Sequence, residues 1–249
     1  MDITFFYLFL AGVACGLINV VSAGGSFITL PLLIFMGLPA TVANATNRVA
    51  IFMQNMVSVP TFYLKKELDL KGASLLAIPA VLGGVVGSFV AVSLDDKMMK
   101  RVIAIVLLVM LFSLFFQAER WLKGVVKVRK GPLTVKEFVS FFFVGIYGGF
   151  IQAGVGVFLL AASVWATGYS LKQANPIKVF IALSYTVVAL VIFSANDLIR
   201  WEYGVILGLG NMLGAWLGVH LSIKGGANLI RWMLVVVILF FSLYFLDLW

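Results

Sequence analysis

A chain of 249 residues that is 63% hydrophobic and only 11% charged cannot form an ordinary water-soluble domain. Its mean hydropathy of +1.12 is typical of a protein that crosses a membrane several times. The formal net charge of +8 does not indicate nucleic-acid binding, because the basic residues lie in short loops beside apolar runs, where they set membrane orientation. The predicted surroundings are a lipid bilayer, with no nucleic-acid partner.

Eight apolar stretches follow one another along the chain, each near the ~20 residues that a tilted membrane helix needs. They cover residues 3–21, 42–64, 73–94, 98–117, 137–153, 179–195, 203–223 and 230–247. Two shorter apolar segments, 25–37 and 156–168, follow the first and the fifth stretch. Because every backbone polar group in lipid needs an internal partner, the predicted fold class is all-α, with eight to ten membrane helices.

The first stretch could be mistaken for a cleaved signal peptide, because Val21-Ser22-Ala23 has small residues where a peptidase would act. The residues before the apolar run include Asp2 and no lysine or arginine, which is wrong for a signal peptide, so we predict a retained first helix. The single cysteine, Cys15, lies in this helix, and apolar packing is its favoured role.

The two halves of the chain match each other when the sequence is shifted by 131 positions, without a gap. The shift pairs Gly25 with Gly156, Phe27 with Phe158, Gly37 with Gly168, Asn44 with Asn175 and Gly87 with Gly218. This order predicts two homologous membrane repeats, 1–117 and 137–249, joined by a basic loop at 118–136.

Positive charge decides whether the repeats run parallel or inverted. If the two short segments do not cross the membrane, the 18 lysines and arginines divide 10 to 8 between the sides, and if they cross, the division is 13 to 5. The positive-inside rule favours the second arrangement, with inverted repeats, a cytoplasmic central loop and both termini outside. Since 13 residues reach only ~20 Å, the short segments are predicted to be broken helices near the midplane.

Each short segment begins at a glycine break, the feature that commonly marks the binding site in inverted-repeat transporters. Gly24, Gly25 and Ser26 would offer N–H groups and a hydroxyl to an anion, and Gly154 and Gly156 would offer the second set. Close helix packing is the competing explanation for such glycines. Packing is the favoured explanation for two other pairs, Gly83 with Gly87 and Gly214 with Gly218.

A polar cluster follows the short segment of the first half. Asn44, Asn47 and Arg48 recur at helical spacing, with Gln54 or Asn55 further along the same helix. A row of amides on a membrane helix is costly unless it meets a partner or water. Beside a glycine break, this cluster indicates part of an anion-binding site.

The second half offers Asn175 and Lys178, and the repeat aligns Lys178 with Asn47. Pro176 would place Asn175 at a helix start and Lys178 in the first turn, so an N-cap role for Asn175 stays open. For Lys178 and Arg48 the alternative is that both side chains extend to opposite membrane interfaces. We predict that Lys178 and the amides bind a small anionic substrate.

Two motifs carry a resemblance to a known family. They are "GLINVVSAGGSFITLPLLIFMGLPATVANATN" and "GGFIQAGVGVFLLAASVWATGYSLKQANPIKVF". Together they resemble the sulfite exporter TauE/SafE family, also described as TSUP or DUF81 transporters, over nearly the whole chain. The resemblance implies a permease of the bacterial plasma (inner) membrane for small anions, typically sulfite, thiosulfate or organosulfonates.

An intramembrane enzyme is not predicted. All ten acidic residues lie in loops or near helix ends, and the only histidine, His220, lies near the end of an apolar run. Neither a zinc site nor a protease can be assembled from them, so no catalytic residue, metal or cofactor is expected. A non-catalytic assembly or anchoring subunit and a transporter of an unrelated small organic acid stay open as alternatives, and the oligomeric state is not predicted.

The lack of a predicted buried carboxylate also bears on direction. Proton-coupled carriers usually hold an acidic residue or a histidine in their path. A monovalent anion that leaves the cell gains about 2.3 kcal/mol per 100 mV of potential, so export needs no coupling. Export is therefore the predicted direction.

Overall fold

The computed structural model describes residues 3–21, 24–117 and 131–246, without the side chains at 4, 107–117 and 226–246. The predictions for the termini, for Ser22-Ala23 and for most of the central loop, 118–130, lie outside the described residues. Within the described ranges the chain is helical and contains no strand. The predicted all-α class is therefore confirmed.

The described residues form nine helices. They are α1 (Ile3–Val21), α2 (Ser26–Phe35), α3 (Ala40–Leu64), α4 (Leu70–Ser93), α5 (Asp96–Gln117), α6 (Val135–Phe150), α7 (Val155–Thr167), α8 (Leu171–Ala195) and α9 (Trp201–Leu246). Three of the described helical segments are long and apolar enough to span a membrane: Leu70–Ser93, Leu171–Ala195 and Trp201–Gly225. The chain is an integral membrane protein with short helices, α2 and α7, between longer ones.

The start of α8 differs from the prediction. Ser170 is the N-cap of α8, because its hydroxyl accepts a hydrogen bond from the Gln173 N–H (3.3 Å) and the Gln173 side chain accepts one from the Ser170 N–H (3.1 Å). This capping box begins the helix at Leu171, so Asn175 is neither a helix start nor an N-cap. Lys178 lies about 10 Å along α8 rather than in its first turn.

The helix boundaries repeat with the predicted shift. Ala40–Leu64 in the first half corresponds residue for residue to Leu171–Ala195 in the second, and α4 and α9 begin at equivalent positions. The packing repeats as well, because α1 packs against α9 as α6 packs against α4, while α3 and α8 contact each other. Each repeat therefore packs its first helix against the other repeat, around a pseudo-two-fold axis.

Glycines allow the first helix of each repeat to pack closely against the other repeat. A side-chain carbon at Gly83 would lie 2.0 Å from the Phe142 carbonyl oxygen, and one at Gly214 would lie 2.0 Å from the Val13 carbonyl oxygen. Any larger residue would force the helix backbones apart. The assignment of these glycines to helix packing is confirmed.

The ends of the helices define two faces of the protein. On the first face, the rings of Phe5 and Tyr203 lie 5.9 Å apart, which brings the starts of α1 and α9 together. The Arg200 N–H, directly before α9, donates to the Thr46 hydroxyl near the start of α3 (3.0 Å), which places the start of α3 on the same face. The Asp96 carboxylate accepts a hydrogen bond from the Ala40 N–H, which joins the start of α5 to that of α3. Both α1 and α3 thus begin on the first face, so α2 returns the chain to that face between them.

The second face carries the ends of α3 and α7 and the starts of α4, α6 and α8. The Lys172 ammonium lies 3.2 Å from the Glu67 carboxylate, and the Lys136 ammonium lies 3.7 Å from the centre of the Trp165 ring. If the short segments did not cross, Glu67 and Lys172 would lie on opposite sides of the membrane. The inverted arrangement with short broken helices is therefore confirmed.

The last part of the chain departs from the prediction. The two expected stretches, 203–223 and 230–247, form one continuous helix, α9. In the first repeat, α4 ends at Ser93 and a new helix, α5, begins at Asp96. The Asp95 carboxylate caps α5 by accepting a hydrogen bond from the Met98 N–H (2.7 Å). The equivalent of Asp95 is Gly226, which has no side chain to cap a new helix.

Candidate functional site

Helix α1 ends inside the protein, and Lys178 of α8 binds its last carbonyl groups. The ammonium donates to the carbonyl oxygens of Asn19 (2.9 Å) and Val20 (3.3 Å). A cation is stabilised there by the negative end of the helix dipole. Lys178 is only 3% exposed, so the alternative in which it extends to the membrane interface is wrong.

Helix α6 ends in the same manner, and Arg48 of α3 binds its end. The guanidinium donates to the carbonyl oxygens of Gly148 and Gly149 (3.0 Å) and to the side-chain oxygen of Gln152 (2.8 Å). It also lies 5.6 Å from the centre of the Phe193 ring. Arg48 is fully buried and does not extend to an interface. Each repeat thus supplies one cation to the broken first helix of the other.

The predicted amides of α3 also have partners. The Asn44 amide donates to the carbonyl oxygen of Phe150, which is the last residue of α6 (2.9 Å). The Asn47 side-chain oxygen accepts a hydrogen bond from the Thr29 hydroxyl of α2 (2.8 Å). These contacts hold α3 to α6 and to α2. They explain how a membrane helix tolerates Asn44 and Asn47, since each of these two amides has a protein partner in place of water.

A polar cavity of about 30 Å³ lies between the glycine breaks. It is lined by Asn19, Ser26, Ile51, Gln54, Asn55, Gln152, Val155, Gly156, Lys178, Val179 and Ala182. Ile51 and Ala182 occupy equivalent positions of the two repeats, so the cavity lies at the pseudo-two-fold axis. Its volume admits one or two water molecules. Among the described residues, no aspartate or glutamate lines it.

Three of the ten predicted site residues, Ser26, Gly156 and Lys178, line this cavity. The other seven do not line it. Protein partners bind the side chains of Asn44, Asn47 and Arg48. The glycine breaks contain Gly24, Gly25 and Gly154, which lie outside the lining, and a smaller cavity is lined by Asn175. The structure therefore brings together one part of the predicted set, with one or more members from each repeat.

The glycine breaks have local structural reasons. The Gly25 N–H donates to the Asn19 side-chain oxygen (2.8 Å), and a side-chain carbon at Gly25 would lie 2.2 Å from the Cys15 carbonyl oxygen. Gly25 is thus required for close packing of α2 on α1. Gly154 has a φ of +74°, a conformation that favours glycine, and it begins α7.

Sequence reasoning missed Asn19 and Gln152 as site residues. Each is a polar residue at the end of an apolar run, next to a glycine break, and that position is the signal that could have identified them. The Asn19 amide donates to the Gln54 side-chain oxygen (3.2 Å), and the Gln54 amide donates to the Asn55 side-chain oxygen (3.1 Å). In this series each amide NH₂ group donates to the oxygen of the next, and the last NH₂ group, that of Asn55, is buried at the cavity without a partner.

Comparisons with known proteins identify the family of the chain. Residues 8–245 match the family model described as Sulfite exporter TauE/SafE, so the chain belongs to that family of membrane transporters. It is 26% identical over 230 residues to a "Probable membrane transporter protein" of Haemophilus influenzae, covering 92% of this chain and 89% of that protein. It is 24% identical over 231 residues to "Probable membrane transporter protein ORF9" of Sinorhizobium sp, covering 93% and 88%. No solved structure matches the chain.

Proposed function

We propose that this member of the TauE/SafE family is a permease of the bacterial plasma membrane for a small anion, and that the polar cavity beside Lys178 binds it. Sulfite or a related sulfur-containing anion is the favoured substrate. The observation that carries the proposal is a set of hydrogen-bond donors without full partners around a cavity that no described carboxylate lines.

The donors come from both repeats. An ammonium group has three N–H bonds, and two of those of Lys178 go to the end of α1, which leaves one for the cavity. The Asn55 NH₂ group has no partner, and the Ser26 hydroxyl lies in the same lining. A buried unpaired donor costs free energy, so an acceptor in the cavity is expected to bind tightly.

Charge supports an anion rather than a neutral acceptor. The carbonyl end of α1 offers only about half a unit of negative charge to the buried ammonium of Lys178. A monovalent anion would complete the compensation, and a charge-assisted hydrogen bond to it is shorter and stronger than a neutral one. An ionisable group at this depth in a membrane protein is a functional-site hypothesis by default.

The volume of the cavity bears on the mechanism. About 30 Å³ holds one or two water molecules, so an oxyanion requires the cavity to widen. Inverted repeats allow this by movement of one repeat against the other around a fixed site. With an inside-negative potential, export of the anion needs no coupling ion.

Two alternatives predict different results. A small organic acid could use the same donors, since a carboxylate also accepts charge-assisted hydrogen bonds. A non-catalytic assembly subunit gives no reason for unpaired donors at the pseudo-two-fold axis. We propose no enzymatic activity, and the relatives named above carry transporter names.

Binding to the purified protein tests the proposal. Calorimetry with sulfite, thiosulfate, sulfoacetate, taurine and matching carboxylates identifies the class of anion, and flux into proteoliposomes tests transport. We expect saturable binding of at least one sulfur oxyanion and flux of the same anion. Carboxylate binding alone would favour the organic-acid alternative, and no anion flux at all would favour the assembly subunit.

A further inference from the structure

A second, smaller cavity lies at the second face, one helical turn from Lys178. It has a volume of about 10 Å³, and Glu67, Lys172, Asn175 and Ser222 are among the residues that line it. Asn175 precedes Lys178 by three residues on α8, so the two side chains share one side of that helix. The small cavity therefore lies on the second-face side of the polar cavity beside Lys178, which we call the Lys178 cavity.

Asn175 marks this region as polar. It is 1% exposed, and its side-chain oxygen has no hydrogen-bond partner. A buried acceptor without a partner is rare in proteins and is usually satisfied by water. A cavity of about 10 Å³ is at the threshold for one water molecule. An unpaired polar group thus lies between the Lys178 cavity and the second face, beside the apolar side chains of Phe62, Pro176 and Ile223.

An ion pair lines the same small cavity. The Lys172 ammonium is 3.2 Å from the Glu67 carboxylate, and the two side chains are 46% and 27% exposed. Glu67 follows α3 and Lys172 begins α8, so the pair joins the two helices that also contribute to the Lys178 cavity. Separation of the end of α3 from the start of α8 would break the ion pair and open the small cavity towards the second face.

The first face has no such ion pair at the equivalent positions. The repeat aligns Asn175 with Asn44, whose amide is bound to the end of α6. It aligns Glu67 with Leu198 and Lys172 with Thr41, so no charge pair exists at these two positions. In this structure, therefore, a partly exposed ion pair lies at these positions on the second face, and no charged pair lies at the equivalent positions on the first.

We propose that Lys172 and Asn175 line an anion passage from the second face to the Lys178 cavity, and that Glu67 closes it by competing with the anion for Lys172. The proposal rests on the proposed function of the Lys178 cavity. It assigns to Lys172 a role as a second cation, which attracts the anion at the mouth of the passage before it reaches Lys178.

The two halves of the ion pair then act in opposite directions. Glu67→Gln frees Lys172 and should raise access of small anions, whereas Lys172→Gln leaves a lone carboxylate at the mouth and should lower it. Because partly exposed ion pairs are weak, we expect changes of roughly two- to fivefold in each direction. A pair that only stabilises the fold would give changes of the same sign for both substitutions.

Cysteine labelling measures this access without knowledge of the transported anion. Asn175→Cys in a Cys15→Ala background is reacted with 2-sulfonatoethyl methanethiosulfonate, a small sulfonate anion, and with the cationic trimethylammonium analogue. Glu67→Gln should raise and Lys172→Gln should lower the ratio of the anionic to the cationic rate. Ser222→Cys, in the same cavity, serves if the first variant does not fold. Lys100→Gln, which breaks an exposed pair with Asp96 on the first face, is the matched control and should leave the ratio unchanged.

The outcomes separate this inference from the proposed function. Complete modification at position 175 should also stop sulfite flux into proteoliposomes, because the attached group fills the passage. A labelling ratio that does not respond, or that moves in the same direction for both substitutions, overturns the passage. Sulfite affinity measured by calorimetry on the unmodified protein then decides separately whether the Lys178 cavity binds the anion.

Discussion

The substitution Lys178→Gln separates two roles of one side chain. The ammonium binds the carbonyl groups of Asn19 and Val20, and it also lines the polar cavity. Loss of a charge-assisted hydrogen bond costs ~1.5–3 kcal/mol, so anion affinity should fall by roughly 10- to 150-fold, and most for divalent anions. Loss of the cation from the end of α1 should also cost up to about 2 kcal/mol of stability.

Arg48→Gln is the matched control for this prediction. Arg48 binds the end of α6 as Lys178 binds the end of α1, but it does not line the cavity. Three acceptors would lose a charged donor, so stability should fall by about 3 kcal/mol or more, while anion affinity changes far less than in Lys178→Gln. Lys178→Arg should restore the binding of α1 but not the full affinity, because a planar guanidinium does not match the space of a compact ammonium.

The assay combines calorimetric titration of sulfite with thermal unfolding in the same detergent. The expected pattern is loss of affinity with modest loss of stability for Lys178→Gln, and loss of stability with little change of affinity for Arg48→Gln. If Lys178→Gln kept the wild-type affinity and lost only stability, Lys178 would serve only as a helix cap. The cavity would then have no charged anion ligand, and the proposed site would have to be abandoned.

Four further predictions concern the glycine breaks, the cavity and the orientation of the protein. Gly25→Val should lower the unfolding temperature before it affects binding, because a side-chain carbon there would lie 2.2 Å from a carbonyl oxygen of α1; normal stability would contradict the packing role. Gly156→Val should instead lower sulfite affinity with a smaller loss of stability, since Gly156 lines the cavity, and unchanged affinity would remove it from the site. Asn55→Ala removes one neutral donor and should cost ~0.5–1.5 kcal/mol of anion binding by calorimetry, less than Lys178→Gln. Single cysteines at positions 71 and 97 in a cysteine-free background should be labelled from the cytoplasm and from outside, respectively, and the reverse result would invert the proposed orientation.

The outline of the fold could be predicted from sequence because it depends on local apolar patterns. Spanning-length runs, glycine breaks and the division of positive charge were enough to predict the repeats and their inverted arrangement. The continuous helix α9 was not predicted, because the loss of a capping residue at Gly226 is a weak local signal beside two strong apolar runs.

The candidate site could be predicted only in part, because its contacts are made between distant segments. The pattern identified Arg48 and Lys178 as cations next to breaks, but not that each binds the helix end of the other repeat, over sequence separations of about 100 and 160 residues. It also assigned Gly25 to anion contact, since a glycine that packs on a backbone and a glycine that exposes a backbone have the same sequence signature.

The two cations occupy neighbouring rather than equivalent positions of the two repeats. Lys178 corresponds to Asn47, and Arg48 corresponds to Val179, so the cation of α8 is displaced by one residue relative to that of α3. Both cations can still reach a broken helix end, but only Lys178 also borders the cavity, while Arg48 is held by Gln152 and the end of α6. The duplicated scaffold with two equivalent helix ends thus places one of these two cations beside the cavity and the other away from it. The passage proposed from the second face leads to the cation beside the cavity, because Asn175 and Lys172 precede Lys178 on the same helix.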